Sequence, residues 1–207
     1  IHDSGLLPEA DMARRATMNE TTIYEMVRNP NLYNLPALID AADLALAEDE
    51  ANRPALRNLL KSSDCGLRYW GIVGCFLLND QKAGVQCLED ESHEVRAMAG
   101  WLLIRTGEQE QGLQCLKVLI QQESYALLKV LNILDWMGDD AKPLLPAVQA
   151  IPFKGKHEAI YQDYERIQSY QKRMHATLLT KFDLTSPVAE PKKKNSKKRK
   201  KYSPANG

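Results

Sequence analysis

Few side chains in this 207-residue chain are of a type that carries chemistry, and their spacing decides what they do. The four cysteines are Cys65, Cys75, Cys87 and Cys115. No two form a C-x-x-C pair, and the clustered Cys/His ligands that a zinc site needs at short spacing are missing. Three lie in helical patterns beside Leu or Phe, which predicts small buried hydrophobes. His93 stands among Glu91, Ser92 and Glu94 and reads as a solvated histidine at a helix start. His2-Asp3 reads as a charged pair at a frayed terminus, and His157 and His175 take no role. Asp135, Asp139 and Asp140 suggest an acid/base pair or a cation, but Asp139-Asp140 fits better as the cap of a following helix. No catalytic residue, metal ligand or cofactor-binding residue is assigned.

One feature does suggest a ligand. Lys192, Lys193, Lys194, Lys197, Lys198, Arg199, Lys200 and Lys201 put eight positive charges into ten residues, and no acid follows Glu190. The overall net charge of zero therefore hides an acidic body, with 19 basic against 27 acidic residues, and a basic tail. Such a run attracts polyanions by counterion release, nucleic acid and glycosaminoglycan alike. No aromatic residue interrupts it before Tyr202, so base stacking has little support. Trp70, Trp101 and Trp136 recur at nearly a fixed period and raise the idea of an aromatic stripe for sugars. Trp101 aligns with Val73 rather than Trp70, however, and the expectation is core packing.

The alignment in question is that of an internal repeat. Leu67–Asn79, Val95–Gly107 and Ala126–Gly138 say nearly the same thing, shifted by 28 and then 31 residues. A period of this size marks stacked supersecondary units. Aligned apolar or small positions carry the signal: Cys75/Leu103/Leu134, Ile72/Gly100/Leu131 and Gly71/Ala99/Val130. Asp64, Ser92 and Ser124 are the expected caps of the three blocks, and Gly107 and Gly138 the expected terminators. Shorter helices precede each block. Pro36 opens one with Leu38, Ile39, Ala42 and Leu46 on its apolar face, and Pro54 opens another with Leu56, Leu59 and Leu60. Ala83–Leu88 and Gly112–Gln121 are two more, and Pro143 begins the next. No segment with strand-like alternation interrupts the series.

Four regions follow. Residues 1–34 are a helical lead-in, with one helix after Pro8 and a second opened by the capping box Thr22-Ile23-Tyr24-Glu25 and ended before Pro30. Residues 35–151 hold the repeats. Residues 152–183 carry a long amphipathic helix, with Ile160, Tyr164, Ile167, Met174 and Leu178 at helical spacing, that caps the open end of the stack. Residues 184–207, rich in Pro, Ser, Lys and Asn, are expected to be disordered. The fold class is therefore all-α, an α-solenoid of about three to four helical hairpins. No apolar run approaches the ~20 residues of a membrane helix. No signal peptide is visible, and a chain that starts at Ile1 reads as a fragment.

An Asp or Ser cap, then Leu67-Arg68 or Val95-Arg96, then a helix rich in small residues resembles short bacterial HEAT-like repeats. The third copy has Leu127 where the arginine belongs. A more specific resemblance lies in three strings in order: Asp3-Ser4-Gly5-Leu6-Leu7-Pro8-Glu9, then Thr22-Ile23-Tyr24-Glu25-Met26, then Leu35-Pro36 with Ala41-Ala42-Asp43-Leu44-Ala45. With Leu67-Arg68-Tyr69-Trp70 they resemble the C-terminal portion of bacterial sulfatases of the heparan-N-sulfatase-like group, over roughly residues 3–150. The resemblance implies the non-catalytic HEAT-like region of a hydrolase of sulfuric esters or sulfamates. Its partner would be its own catalytic domain, and its location periplasmic or secreted. Formylglycine and calcium are implied only for that missing domain, because none of the four cysteines here lies in a C-x-P-S-R string. The other expectation, from a different class, is an autonomous HEAT-like scaffold that binds a protein or nucleic acid.

Overall fold

The computed structural model describes residues 9–122, 124–153 and 164–184. All its regular structure is helical, with no strand among the described residues. The expected tail, Ile160 and His157 lie outside this range.

The lead-in has two helices, α1 (Glu9–Met18) and α2 (Ile23–Met26). The capping box at α2 forms as the sequence predicts: Thr22 Oγ1 accepts the Glu25 amide while Glu25 accepts the Thr22 amide. The helix nevertheless stops at Met26, before Pro30 can act, because Arg28 and Asn29 close tighter turns onto Glu25 and Met26. Met26, Ala16, Tyr33 and Leu38 bury a small core with Cys65.

Next come α3 (Leu35–Leu46) and α4 (Arg53–Leu59), each with Pro in its first turn. On α3 the buried face is Leu38, Ala41, Ala42 and Ala45, while Ile39 and Leu46 are exposed. The expected face was thus rotated. Its alanines let α3 lie close against α5 (Cys65–Leu77), where a Cβ on Gly74 would come within 3.1 Å of the Ala45 backbone. A bulky stripe cannot enter such a narrow interface.

Four helices follow, α6 (Gln81–Gln86), α7 (His93–Arg105), α8 (Gln109–Gln121) and α9 (Leu127–Met137), of which α6 is the short one. The three repeated blocks are α5, α7 and α9, and they lie side by side in that order. Every aligned position named above is buried, from Gly71, Ala99 and Val130 to Cys75, Leu103 and Leu134. Glycines set the tightest approach. A methyl group on Gly112 of α8 would collide with the Gly100 carbonyl of α7 and come within 2.6 Å of Ile104 Cγ1. Gly107 (φ +101°) and Gly138 (φ +59°) end α7 and α9 with positive φ, as expected.

A 3₁₀ turn (Gly138–Leu144) precedes α10 (Leu145–Gln149). Pro143 lies inside that turn, and Pro146 opens the α-helix instead. Asp139 pairs with Lys142 at 3.0 Å rather than capping a helix. The last helix, α11 (Tyr164–Lys181), packs on α9 and buries Ile167 and Leu178.

Arginine–aspartate pairs tie one level to the next. Arg15 of α1 reaches Asp64, the residue capping α5, at 2.6 Å. Arg53 and Arg57 of α4 hold Asp80, before α6, at 3.3 and 2.6 Å. Arg68 of α5 holds Asp90 and Glu91, before α7, at 2.8 and 2.9 Å. Arg96, at the same repeat position in α7, makes no such pair among the described residues, and its buried Nε has no hydrogen-bond partner.

Candidate functional site

The eight basic residues from Lys192 to Lys201 lie outside the described residues. Two other places in the structure gather chemistry.

The first is an aromatic edge. Phe76 near the end of α5, Trp101 in α7 and Trp136 near the end of α9 form a continuous row. Trp101 sits 4.2 Å from Phe76 between ring centroids, tilted by 37°. Trp136 stacks on Trp101 at 5.6 Å with 25° between planes. Phe76 is buried, Trp101 half-buried, and Trp136 is 60% exposed. The Arg105 guanidinium lies 4.7 Å over the Phe76 ring. Beside the row, Lys181 of α11 pairs with Asp135 at 2.7 Å. Trp70 is elsewhere, edge-on to Tyr69 at 5.7 Å.

Core packing therefore fails for Trp136, and the reason lies in the register. In the frame of the first block, Trp101 falls at position 73 and Trp136 at position 77, while Phe76 keeps its own number. Spacings of three and four residues share one helical face. Non-equivalent positions one turn apart thus meet across neighbouring helices. The signal was present in the sequence, but looking only for identical repeat positions misses it.

The second place is a buried polar cluster between α1 and the start of α7. Ser92 occupies the cap position of α7, yet its hydroxyl does not cap the helix. It donates instead to Asp11 Oδ2 of α1, at 2.9 Å, and stands 3.4 Å from Glu94 Oε2. Asp90 Oδ1 accepts the Ser92 amide at 2.8 Å. Asp11, Ser92 and Glu94 are only 4%, 3% and 5% exposed. Burial pushes the Glu94 carboxyl up to about 8, and the neighbouring Asp11 charge adds to the shift. Neither carboxylate stands out in the sequence, because residue 11 and residue 94 are joined only by tertiary packing.

Ser124 also departs from its expected role. The chain before α9 is uncapped by any side chain, and the Ser124 hydroxyl meets His93 Nδ1 at 3.0 Å. His93 is half-buried rather than solvated; burial and then the Arg96 charge hold it below the usual histidine range. His175 likewise has a fixed place, with Nε2 2.9 Å from the Val148 carbonyl.

The cysteines are where their spacing put them: Cys65, Cys75 and Cys87 buried, Cys115 half-buried. Burial pushes Cys75 and Cys87 to about 12 and Cys115 to about 11, and raises Cys65 as well. Thiols held protonated in this way are poor nucleophiles and poor metal ligands. Among the described residues no group of three or more His, Cys, Asp or Glu is arranged to hold a metal ion. A shallow groove of about 530 Å³ between α8 and the 3₁₀ turn is lined by Glu110, Gln111, Gln114, Lys117 and Leu144. No described helix is long and apolar enough to cross a membrane.

No family model matches this chain, and no curated protein or solved structure matches it.

Proposed function

We propose that this chain is a non-catalytic helical-repeat region that works by contact, as the C-terminal HEAT-like part of a sulfatase-family hydrolase. The observation that carries the contact role is the aromatic edge. A Trp left 60% exposed, at the end of a stacked row of three aromatic rings, is a surface suited to being covered by a partner. The buried, protonated thiols support a role other than covalent turnover. The three ordered strings within residues 3–45 support the sulfatase parent, and with it a periplasmic or secreted location. In that parent the edge packs on the catalytic domain and shapes its cleft. Formylglycine and calcium belong to that domain.

A second reading, an autonomous HEAT-like scaffold for a protein or nucleic acid, has its own support. The lead-in is fastened to this chain rather than waiting for another domain: Arg15 binds Asp64, Asp11 binds Ser92, and Ala13 packs with Tyr125 and Ile167.

The coding sequence ahead of Ile1 separates the two readings. A C-x-P-S-R string there supports the sulfatase parent, and an unrelated domain there removes it. With such a domain in hand, Trp136→Ala should weaken its association with this chain. Undiminished association would move the contact off the aromatic edge.

A further inference from the structure

Ser92 has one hydroxyl proton, and two buried carboxyl groups compete for it. The hydroxyl donates to Asp11 Oδ2 at 2.9 Å, so at 3.4 Å from Glu94 Oε2 it has nothing left to give. If Glu94 were ionised, two carboxylates would face one oxygen inside a space from which water is excluded. The surrounding groups do not cancel both charges. From α1, Arg14 reaches Asp11 Oδ1 at 3.6 Å, from a side chain 39% exposed, and Arg15 is spent on Asp64. From α5, the Cys65 thiol lies beside Asp11 and stays protonated. The Lys129 ammonium of α9 donates to the Tyr69 hydroxyl of α5 at 2.7 Å, and its charge only partly offsets the burial and the Asp11 charge at Glu94. Within α7 itself, His93 turns to Ser124, and Arg96 lies near His93 and Cys115. Asp90 is held by Arg68.

We propose that the seat of α1 on α7 is a proton-held latch: Glu94 binds a proton when α1 docks and releases it when α1 leaves. The bonds balance simply. In the docked state the Glu94 O–H donates a hydrogen bond to the Ser92 oxygen, while the Ser92 hydroxyl keeps its proton and donates a hydrogen bond to Asp11. Withdrawal of α1 removes the Asp11 charge and admits water to Glu94, whose carboxyl then ionises in its ordinary range. Asp11 is the only carboxylate that α1 places in this seat among the described residues, so the proton count follows the position of one helix.

The sign follows from linkage. The docked state holds Glu94 near 8, and the open state near the ordinary 4.5. Docking is therefore strongest below the ordinary carboxylate range, weakens as pH rises through the interval, and levels off above about 8. Within the interval one proton is taken up per docking event. The docking equilibrium constant should thus fall about tenfold per pH unit.

Amide hydrogen exchange on the full chain tests this, with rates normalised for intrinsic pH dependence. The reporter is the α1 segment Met12–Met18, and the internal control is Leu102–Leu103 of α7. Between about pH 7 and pH 9, above the range in which His93 titrates, α1 protection should drop up to tenfold per pH unit and then flatten near 8. The control segment should not move. Glu94→Gln, which keeps the donor and cannot ionise, should dock α1 with no slope. Asp11→Asn removes the opposing charge and should shift the fall to lower pH. Equal slopes in the wild type and Glu94→Gln would overturn the latch, as would a flat wild-type profile. If Glu94→Gln does not fold, an unshifted midpoint in Asp11→Asn overturns it independently.

Discussion

Arg68 and Arg96 stand at the same place in two successive helices, and their surroundings give them opposite values. Arg68 is 8% exposed at its side chain and holds Asp90, itself 10% exposed. Burial works against its charge, but Asp90 and Glu91 outweigh the burial and raise its pKa. Arg68→Ala would strand Asp90 and should cost about 3–5 kcal/mol in urea unfolding. Arg96→Leu removes a guanidinium whose buried Nε is already unsatisfied, and should leave stability within about 0.5 kcal/mol or raise it. A loss as large as that at Arg68 would mean that Arg96 has a partner. Leu103 and Leu134, both fully buried, should each cost about 2–5 kcal/mol when cut to Ala. At this scale the apolar positions were legible because repetition marks them. Ser92 and Ser124 were not, since a serine before a helix looks like a cap whether its hydroxyl turns to the helix or to a distant partner.

Helix packing here depends on small residues at chosen points. Gly112→Ala would push a methyl group into Gly100 and Ile104, and should cost about 1–3 kcal/mol. The exposed neighbour Gln111→Ala is the control and should change little. The arginine-aspartate ties give the stack an acid-sensitive edge. Burial would raise the Asp80 carboxyl, but Arg57 and Arg53 overcome it and the net shift is downward. Its stabilisation is thus present above the ordinary aspartate range and is lost as pH falls below about 3.8. Asp80→Asn should flatten the acid limb of a stability-versus-pH curve, and an unchanged limb would assign it to other carboxylates. Helix existence was readable from periodicity and from Pro and Gly. The buried face of α3 was not, because alanine ranks low as a hydrophobe yet wins where two backbones approach closely.

Over the whole chain, charge divides into an acidic part and the basic run at Lys192–Lys201. Deleting residues 191–207 should abolish retention on heparin and on DNA while leaving the melting temperature nearly unchanged. Retention that survives would place the polyanion surface on the helices. The all-α class was legible throughout the described residues, since nothing in the sequence competes with the helical period. The aromatic edge needed the structure, because it is assembled from three helices whose relative offset the sequence does not state.

The cysteines also keep time. Cys65 and Cys75 lie toward opposite ends of α5, Cys87 follows α6 and Cys115 sits in α8, so the four sulfur atoms report on three successive parts of the stack. Each is shielded by burial and reacts with an alkylating reagent only when its own level opens. Brief exposure to such a reagent, followed by mass measurement, would record the sequence of openings from within an unaltered chain. Half-buried Cys115 should be stamped first.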